Sequence, residues 1–398
     1  MNRLLNFTYS AVQAFYWMYF ASIVSFASVF LLERGYSNSQ IGFILAFSSI
    51  IAVLFQPILA DIADRSKKLS LISVTGVIGF ILIVSTFSLL FIHNKSLLLT
   101  ILFILTVALI TSIQPIINSI AFHFSKAGSY INFGATRSVG SVAFALLSFV
   151  LGFLVIRYGT SSIPMAGLIT LVLLLASLFA TDKLFKKNLT VHIPNQFSSK
   201  GFETTKDISL FQFIKRHKVF VILCFGIMLV FFQNAVINNF LFQILRNIGG
   251  DSSQMGKLFS FMAILELPGL FFFSRLRMKF SCQTMLKLSS VAFIGKVFFT
   301  YLATSVGFIY LAFLFQLISF PLFLSSAIHL ADEVMEPGES VKGQALVAGM
   351  MTLSGVFASL LGGAILDIGG ASQLLFISTV LTIIGTISIF VTVKKIKI

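Results

Sequence analysis

Cysteine is almost missing from this chain of 398 residues: there are two, Cys224 inside an apolar run and Cys282 in a basic turn. A disulfide-stapled scaffold is thereby excluded, and both are read as unpaired thiols. Charge is scarce as well. Charged residues make up 10% of the sequence, where soluble domains carry roughly 25%. That all but excludes a soluble enzyme, and equally a disordered chain, whose composition would be polar and highly charged. The five histidines, His93, His123, His192, His217 and His329, fall in loops or near the ends of apolar runs. No HExxH or clustered Cys/His spacing is present, so neither a metal site nor a cofactor is expected. The phosphate-cradling pattern GxxxxGK[ST] is also missing, which leaves ATP-driven pumping by this chain without support. No nucleophile–base pair stands out, and an enzyme is not expected.

What fills the chain instead is apolar: 57% of residues are hydrophobic and 14% aromatic, and the mean hydropathy is +1.00. A helix rises about 1.5 Å per residue, so about 20 apolar residues cover the roughly 30 Å core of a bilayer. Runs of that length begin near Tyr9, Ile41, Leu69, Leu97, Asn132, Ile163, Val219, Gln254, Thr284, Gly307, Gly343 and Gln373. They predict an all-α membrane protein with twelve transmembrane helices. Open sheets would leave backbone donors unpaired in lipid, and barrel strands would alternate polar and apolar residues, which these runs do not. The first run, Tyr9 to Leu32, is longer than a signal-peptide core of about 7 to 15 residues and is expected to stay in the mature chain.

The formal net charge of +15 is unevenly placed along the sequence. With the N-terminus in the cytoplasm, the inner side collects Arg3, Arg65, Lys67, Lys68, the cations of the 182–218 stretch, Arg275, Arg277, Lys279, and the C-terminal Lys394, Lys395 and Lys397. The outer side holds only Arg34, Lys95, Arg157, Arg246 and Lys257. Positive charge flanking the spans selects the cytoplasmic side, so both termini are expected inside. The same cations would rest on anionic lipid headgroups, and no nucleic acid is implied.

The longest polar stretch, Asp182 to Lys218, divides the chain into an N-terminal six-helix bundle (1–181), a cytoplasmic linker (182–218) and a C-terminal six-helix bundle (219–398). Three features recur at one common offset of a little over half the chain: Pro57 with Pro268, Pro115 with Pro321, and the basic turn at Arg65 with that at Arg275. Two parallel repeats of six spans suit a secondary transporter that holds its substrate near mid-membrane between the halves.

Few ionisable groups lie deep in the runs. A charge at the bilayer centre costs about 2.5–3.5 kcal/mol on the insertion scale, so it is expected to face a cavity or a partner. Glu266, two residues before Pro268 in span eight, is the one carboxylate so placed; Lys296 in span nine is a candidate partner, and Arg137 lies a turn or two into span five. Uncharged polar groups recur at helical spacing: Gln13 and Tyr16, with Tyr9 and Phe20, in span one, Gln114 and Asn118 in span four, Asn234 and Asn238 in span seven. Gln316 stands alone in span ten. Helix-to-helix hydrogen bonding accounts for any one amide. Taken with the three charges, they are read as the lining of a wet, substrate-binding cavity. Gly355, Ser359 and Gly363, spaced by four in span eleven, read as a close-packing stripe.

Four stretches together resemble the major facilitator superfamily, in the branch of lactose permease and other oligosaccharide:proton symporters and of phenylpropionate-type permeases. Phe55-Gln56-Pro57 followed by Asp64-Arg65 and Lys67-Lys68 is similar to the signature between spans two and three. Phe133-Gly134 leading to Arg137, then Gly140-Ser141-Val142-Ala143-Phe144, is similar to span five. Glu266 and Lys296 stand where the family has a functional carboxylate and a basic residue. The resemblance implies that Arg137, Ser141 and Phe144 line the substrate site. The branch's carboxylate in span four is missing near Asn118 and Ser119, its His and Glu in span ten near Gln316 and Ser319, its acidic residues in span seven near Asn234, and the signature glycine is Ala60. Lactose itself and that detailed proton route are therefore not implied.

The expectation is a monomeric secondary transporter of a bacterial inner membrane that works by alternating access, importing a saccharide or nucleoside with protons carried by Glu266. Asp64, Arg65, Lys67 and Lys68 are the expected gate. An organic or aromatic anion permease is the alternative, because Arg137 and Lys296 outnumber Glu266; efflux of amphiphilic compounds comes third, and a non-transporting membrane sensor is the rival outside the class.

Overall fold

The computed structural model describes residues 2–65, 71–126, 129–189, 213, 215–336 and 339–396. Lys67 and Lys68, the side chains of Ala60, Asp64 and Arg65, and most of the expected linker lie outside the described residues.

Among the described residues the regular elements are all helical. In chain order they are α1 (Asn2–Phe20), α2 (Ala27–Glu33), α3 (Asn38–Arg65), α4 (Leu71–Leu89), α5 (Leu97–Lys126), α6 (Phe133–Tyr158), α7 (Ser162–Leu189), α8 (Lys218–Arg246), α9 (Ser252–Arg277), α10 (Cys282–Tyr301), α11 (Val306–Phe313), α12 (Ser319–Val334) and α13 (Ser340–Lys395). A π-helical turn, Ala21–Ser25, joins α1 to α2, and a 3-10 turn, Leu314–Leu317, joins α11 to α12.

Among these residues nine helices are long and apolar enough to cross a membrane, or ten if α1 and α2, bent by 40° at their junction, count as one. Counted from ten, two elements account for the difference from the twelve predicted spans. The 56-residue α13 counts once, although at about 20 residues per crossing it has the length for two. Its backbone breaks at Gly370, whose φ of 72° is open to glycine and strained for other residues. The 20-residue α10 carries Lys287 and Lys296 and is not among the nine.

The chain packs as two compact units. The first comprises Met1–Ile193, Asn239–Ile264 and Ser359–Asp367; the second comprises Pro194–Asn238, Leu265–Ala358 and Ile368–Ile398. Each of α8, α9 and α13 therefore contributes to both. In α8 the boundary falls at a kink, where Phe240 has φ −127° and ψ 19°.

In the first unit α1 packs along α6 and α7, and α5 packs between α3 and α4. Tyrosines tie α1 to its neighbours: Tyr9 Oη donates to Ile117 O at 2.9 Å and Tyr16 Oη to Ile110 O at 3.1 Å, which sets α1 antiparallel to α5. Pro115 removes a backbone donor in the middle of α5. The carbonyl four residues earlier, Thr111 O, accepts instead from Gln56 Nε2 at 3.4 Å.

Close backbone approaches also pack helices of this unit together. A Cβ at Gly42 would stand 2.1 Å from Ser359 O, one at Gly363 2.3 Å from Asn38 O, and one at Gly256 2.2 Å from Ser148 O. The expected stripe in span eleven thus packs through Ser359 and Gly363. At Gly355 a Cβ would meet nothing within 4 Å. Beside this seam the Asp367 carboxylate takes the N–H groups and side chains of both Asn38 and Ser39 at the first turn of α3. An anion there satisfies free backbone donors and faces the positive end of the helix dipole.

The second unit is built on an apolar core that includes Phe220, Leu223, Phe293, Phe323 and Val347. Glu339, the N-cap residue of α13, accepts from Arg216 Nη1 at 3.2 Å and pairs with His217 Nε2 at 2.7 Å. That cluster anchors the start of α8 to the start of α13.

Candidate solute-binding site

In the first unit the expected residues gather where α1 meets α5 and α6. The helix start is fixed first. Asn132 is the N-cap of α6, its side chain accepting from Ala135 N at 3.1 Å, while its own N–H donates to Asn6 Oδ1 on α1 at 2.8 Å. Such a cap is worth about 1 kcal/mol. It ties the beginning of α1 to the beginning of α6 and places Arg137, in the second turn, beside Trp17.

The contact with Trp17 depends on Gly140. A Cβ there would stand 2.6 Å from Trp17 Cδ1, so the missing side chain lets the indole lie against the α6 backbone. The Arg137 guanidinium then lies over the indole, its Cζ 4.0 Å from the ring centroid, and its Nη1 donates to Ser141 Oγ at 3.1 Å. A guanidinium on an indole face is worth about 0.5–2 kcal/mol, more where water is excluded. Arg137, Ser141 and Trp17 are half-buried.

Gln13, one turn before Trp17, is fully buried; its Nε2 donates to Tyr9 Oη at 2.8 Å and to Asn118 Oδ1 at 3.2 Å. Gln13, Asn118, Arg137 and Ser141 are thus placed on three facing helices. Tyr16 is differently used, its hydroxyl spent on Ile110 O and its ring edge-on to Trp17. Gln114 is half-buried one turn before Asn118, and the Phe144 ring lies 6.4 Å from that of Phe259.

In the second unit two glycines bring three helices together. A Cβ at Gly269 would stand 2.4 Å from Pro321 Cγ, and one at Gly295 would stand 2.8 Å from the Phe315 ring. These approaches draw α9 and α10 onto the span that α11, the 3-10 turn and α12 form. Gln316 sits in that 3-10 turn, where the change of helical pitch marks a hinge position.

The result is a polar chain through apolar surroundings. Lys296 Nζ donates to Gln316 Oε1 at 2.6 Å, and Gln316 Nε2 donates to Glu266 Oε1 at 2.7 Å. Lys296 is wholly buried and its ammonium lies 4.9 Å from the Phe313 ring centroid. Hydrogen bonds to charged groups contribute about 1.5–3 kcal/mol each, comparable with the cost of placing each charge at depth. Sequence reasoning paired Lys296 with Glu266 and left Gln316 alone; the structure puts the Gln316 amide between them.

Asn234 on α8 is buried and its Oδ1 has no hydrogen-bond partner, whereas Asn238, one turn on, is exposed. Two residues escaped the sequence reading. Trp17 was available from its spacing of four from Gln13. Gln233, fully buried with both amide atoms unpartnered, stands next to Asn234.

The profile described as "MFS_1 like family" matches residues 9–377. An uncharacterised transporter, YwbF, of Bacillus subtilis is 24% identical over 347 residues, covering 82% of this chain and 78% of that protein. The maltose permease of Geobacillus stearothermophilus is 23% identical over 381 residues, covering 94% of this chain and 91% of that one. In fold, the crystal structure of the nucleoside transporter NupG is similar with a TM-score of 0.78, at 14% identity, over 99% of both chains. A bacterial homologue of the human lysosomal transporter Spinster, in an inward-facing and unoccupied conformation, gives 0.71 at 15% identity, over 99% of this chain and 97% of that one. The profile match runs through both polar clusters, from Tyr9 and Gln13 on α1 to beyond Lys296 and Gln316, and the chain belongs to the MFS_1-like family of multi-pass membrane transporters.

Proposed function

We propose that this transporter carries a neutral polar organic solute, a saccharide or a nucleoside, into the cell together with a proton, by alternating access of two bundles about a central site. The observation that carries the reading is the chain Lys296–Gln316–Glu266. It holds one carboxylate at depth, tied through a neutral amide to a buried cation. A single titratable carboxylate in such a place suits the movement of one proton per cycle, because protonation changes the charge of the cluster by one unit where charge is costly. The kinship to a maltose permease and the fold shared with a nucleoside transporter support a hydroxyl-rich, uncharged cargo.

The rest of the reading follows from sequence. Twelve crossings arise if α1 and α2 together cross once, α13 twice and α10 once. The basic 182–218 stretch and the termini lie in the cytoplasm, the protein sits as a monomer in a bacterial inner membrane, and bundles 1–181 and 219–398 flank the linker. Asp64, Arg65, Lys67 and Lys68 form the inner gate.

The test is uptake of radiolabelled maltose and of uridine by proteoliposomes under an imposed pH gradient, acid outside. Accumulation of either above its external concentration, abolished by a protonophore, is the expected result. Equilibration without accumulation would remove the proton. A second reading, an aromatic anion as cargo, draws on the two cations Arg137 and Lys296 against Glu266; 3-phenylpropionate in the same assay decides between them.

A further inference from the structure

Two polar atoms on α1 are buried without hydrogen-bond partners: Gln13 Oε1 and Trp17 Nε1. One is an acceptor and the other a donor, and they stand one helical turn apart on the same face. A buried donor or acceptor left unsatisfied keeps its full desolvation penalty. Neither is an accident of a loose side chain. The Gln13 amide is oriented by its own Nε2, which serves Tyr9 and Asn118. The indole is clamped between the α6 backbone at Gly140, the Arg137 guanidinium, and the rings of Tyr16 and Phe20, whose centroids lie 5.4 and 5.3 Å away. Gln13 is wholly covered and Trp17 only half, so Trp17 is the member a solute meets first.

From this we infer that Trp17 is a specificity-determining residue: its Nε1–H and Gln13 Oε1 together take a solute that offers an acceptor and a donor side by side, while its ring face holds Arg137 flat for the same solute. A vicinal diol or an amide edge has both groups. A carboxylate has only acceptors; it would satisfy the indole but set an oxygen against Gln13 Oε1. The pair therefore selects neutral over anionic cargo. This deepens the uptake reading above and rests on it.

The experiment uses the purified full chain in detergent, with isothermal titration of maltose, its oxidised acid maltobionate, uridine and 3-phenylpropionate. Wild type is expected to bind a neutral probe at least tenfold more tightly than the anions. Trp17→Phe keeps a ring for Arg137 but removes the N–H, and should weaken neutral binding about tenfold, equivalent to about 1.4 kcal/mol. Trp17→Leu also removes the stacking face and should weaken it about a hundredfold. Binding by Trp17→Phe within twofold of wild type, or anions preferred by wild type, would overturn the assignment while leaving transport itself intact. A ligand-free arm stands apart from the uptake reading. Trp17 is the single tryptophan, so its emission should shift in Arg137→Gln and in Gly140→Leu. If no neutral probe binds wild type, the uptake reading fails on its own; unchanged emission in both variants then removes Trp17 from the site as well, and shifted emission retains it as the residue that positions Arg137.

Discussion

Asp367 grips Ser39 twice, its Oδ2 accepting from the backbone N–H at 2.7 Å and from the hydroxyl at 2.5 Å. Its Oδ1 takes the N–H and the amide of Asn38, and the Asn38 carbonyl oxygen of the side chain accepts in turn from Gln243 on α8 at 3.1 Å. The seam formed by Gly42, Ser359 and Gly363 lies beside this clasp. The charged carboxylate thus adds to the backbone contacts that hold α13 against the first turn of α3.

Asp367→Asn should loosen the seam. The amide keeps one acceptor oxygen and loses the charge, and charge-assisted hydrogen bonds are worth about 1.5–3 kcal/mol, enough to raise the open population about tenfold or more. The check is maleimide labelling of Ser359→Cys with and without Asp367→Asn. Native Cys224 and Cys282 are buried and give little background. Labelling should quicken about tenfold; an unchanged rate would mean that the glycine contacts alone hold the seam.

Gly269→Ala should damage transport although it adds one methyl group. Its Cβ would meet Pro321 Cγ at 2.4 Å, and a proline ring cannot swing aside. The helices must separate, at about 1–3 kcal/mol for overpacking, and Glu266 is drawn away from Gln316. Gly355→Ala is the matched control, since its Cβ meets nothing within 4 Å. Lower melting temperature and reduced uptake are expected for the first, with neither loss for the second.

Arg137→Lys should weaken binding of the transported solute about a hundredfold at normal expression. A lysine ammonium keeps the charge but has neither the planar fork nor the face that lies on Trp17. Isothermal titration measures it directly, and affinity within a factor of two would reduce Arg137 to a residue reaching for the headgroups.

Much of this was legible from sequence, and the limits are instructive. Glu266, Lys296 and Arg137 announced themselves because an ionisable group in an apolar run must be compensated. The amides Gln13, Asn118 and Gln316 showed through helical spacing or isolation. What spacing could not supply was the distance between helices. Gln316 bridges the charges only because Gly269 and Gly295 let α9 and α10 approach its 3-10 turn, and those contacts join residues far apart in the chain. Trp17 carried one signal, its spacing of four from Gln13, but its contact with Arg137 depends on the room that Gly140 leaves for the indole. The twelve-span pattern also exceeds the nine or ten helices counted among the described residues, because α13, though broken at Gly370, counts once and α10 is diluted by its lysines.

Proton coupling through Glu266 is the central claim, and Glu266→Gln tests it most directly. The amide mimics the permanently protonated acid and can still accept from Gln316, so the cluster keeps its shape while losing its titratable site. Proteoliposomes carrying the variant should bind the solute and exchange it across the membrane at rates near wild type, yet show no accumulation under a pH gradient, acid outside, that drives wild-type accumulation. Gradient-driven accumulation by Glu266→Gln equal to that of wild type would contradict the account.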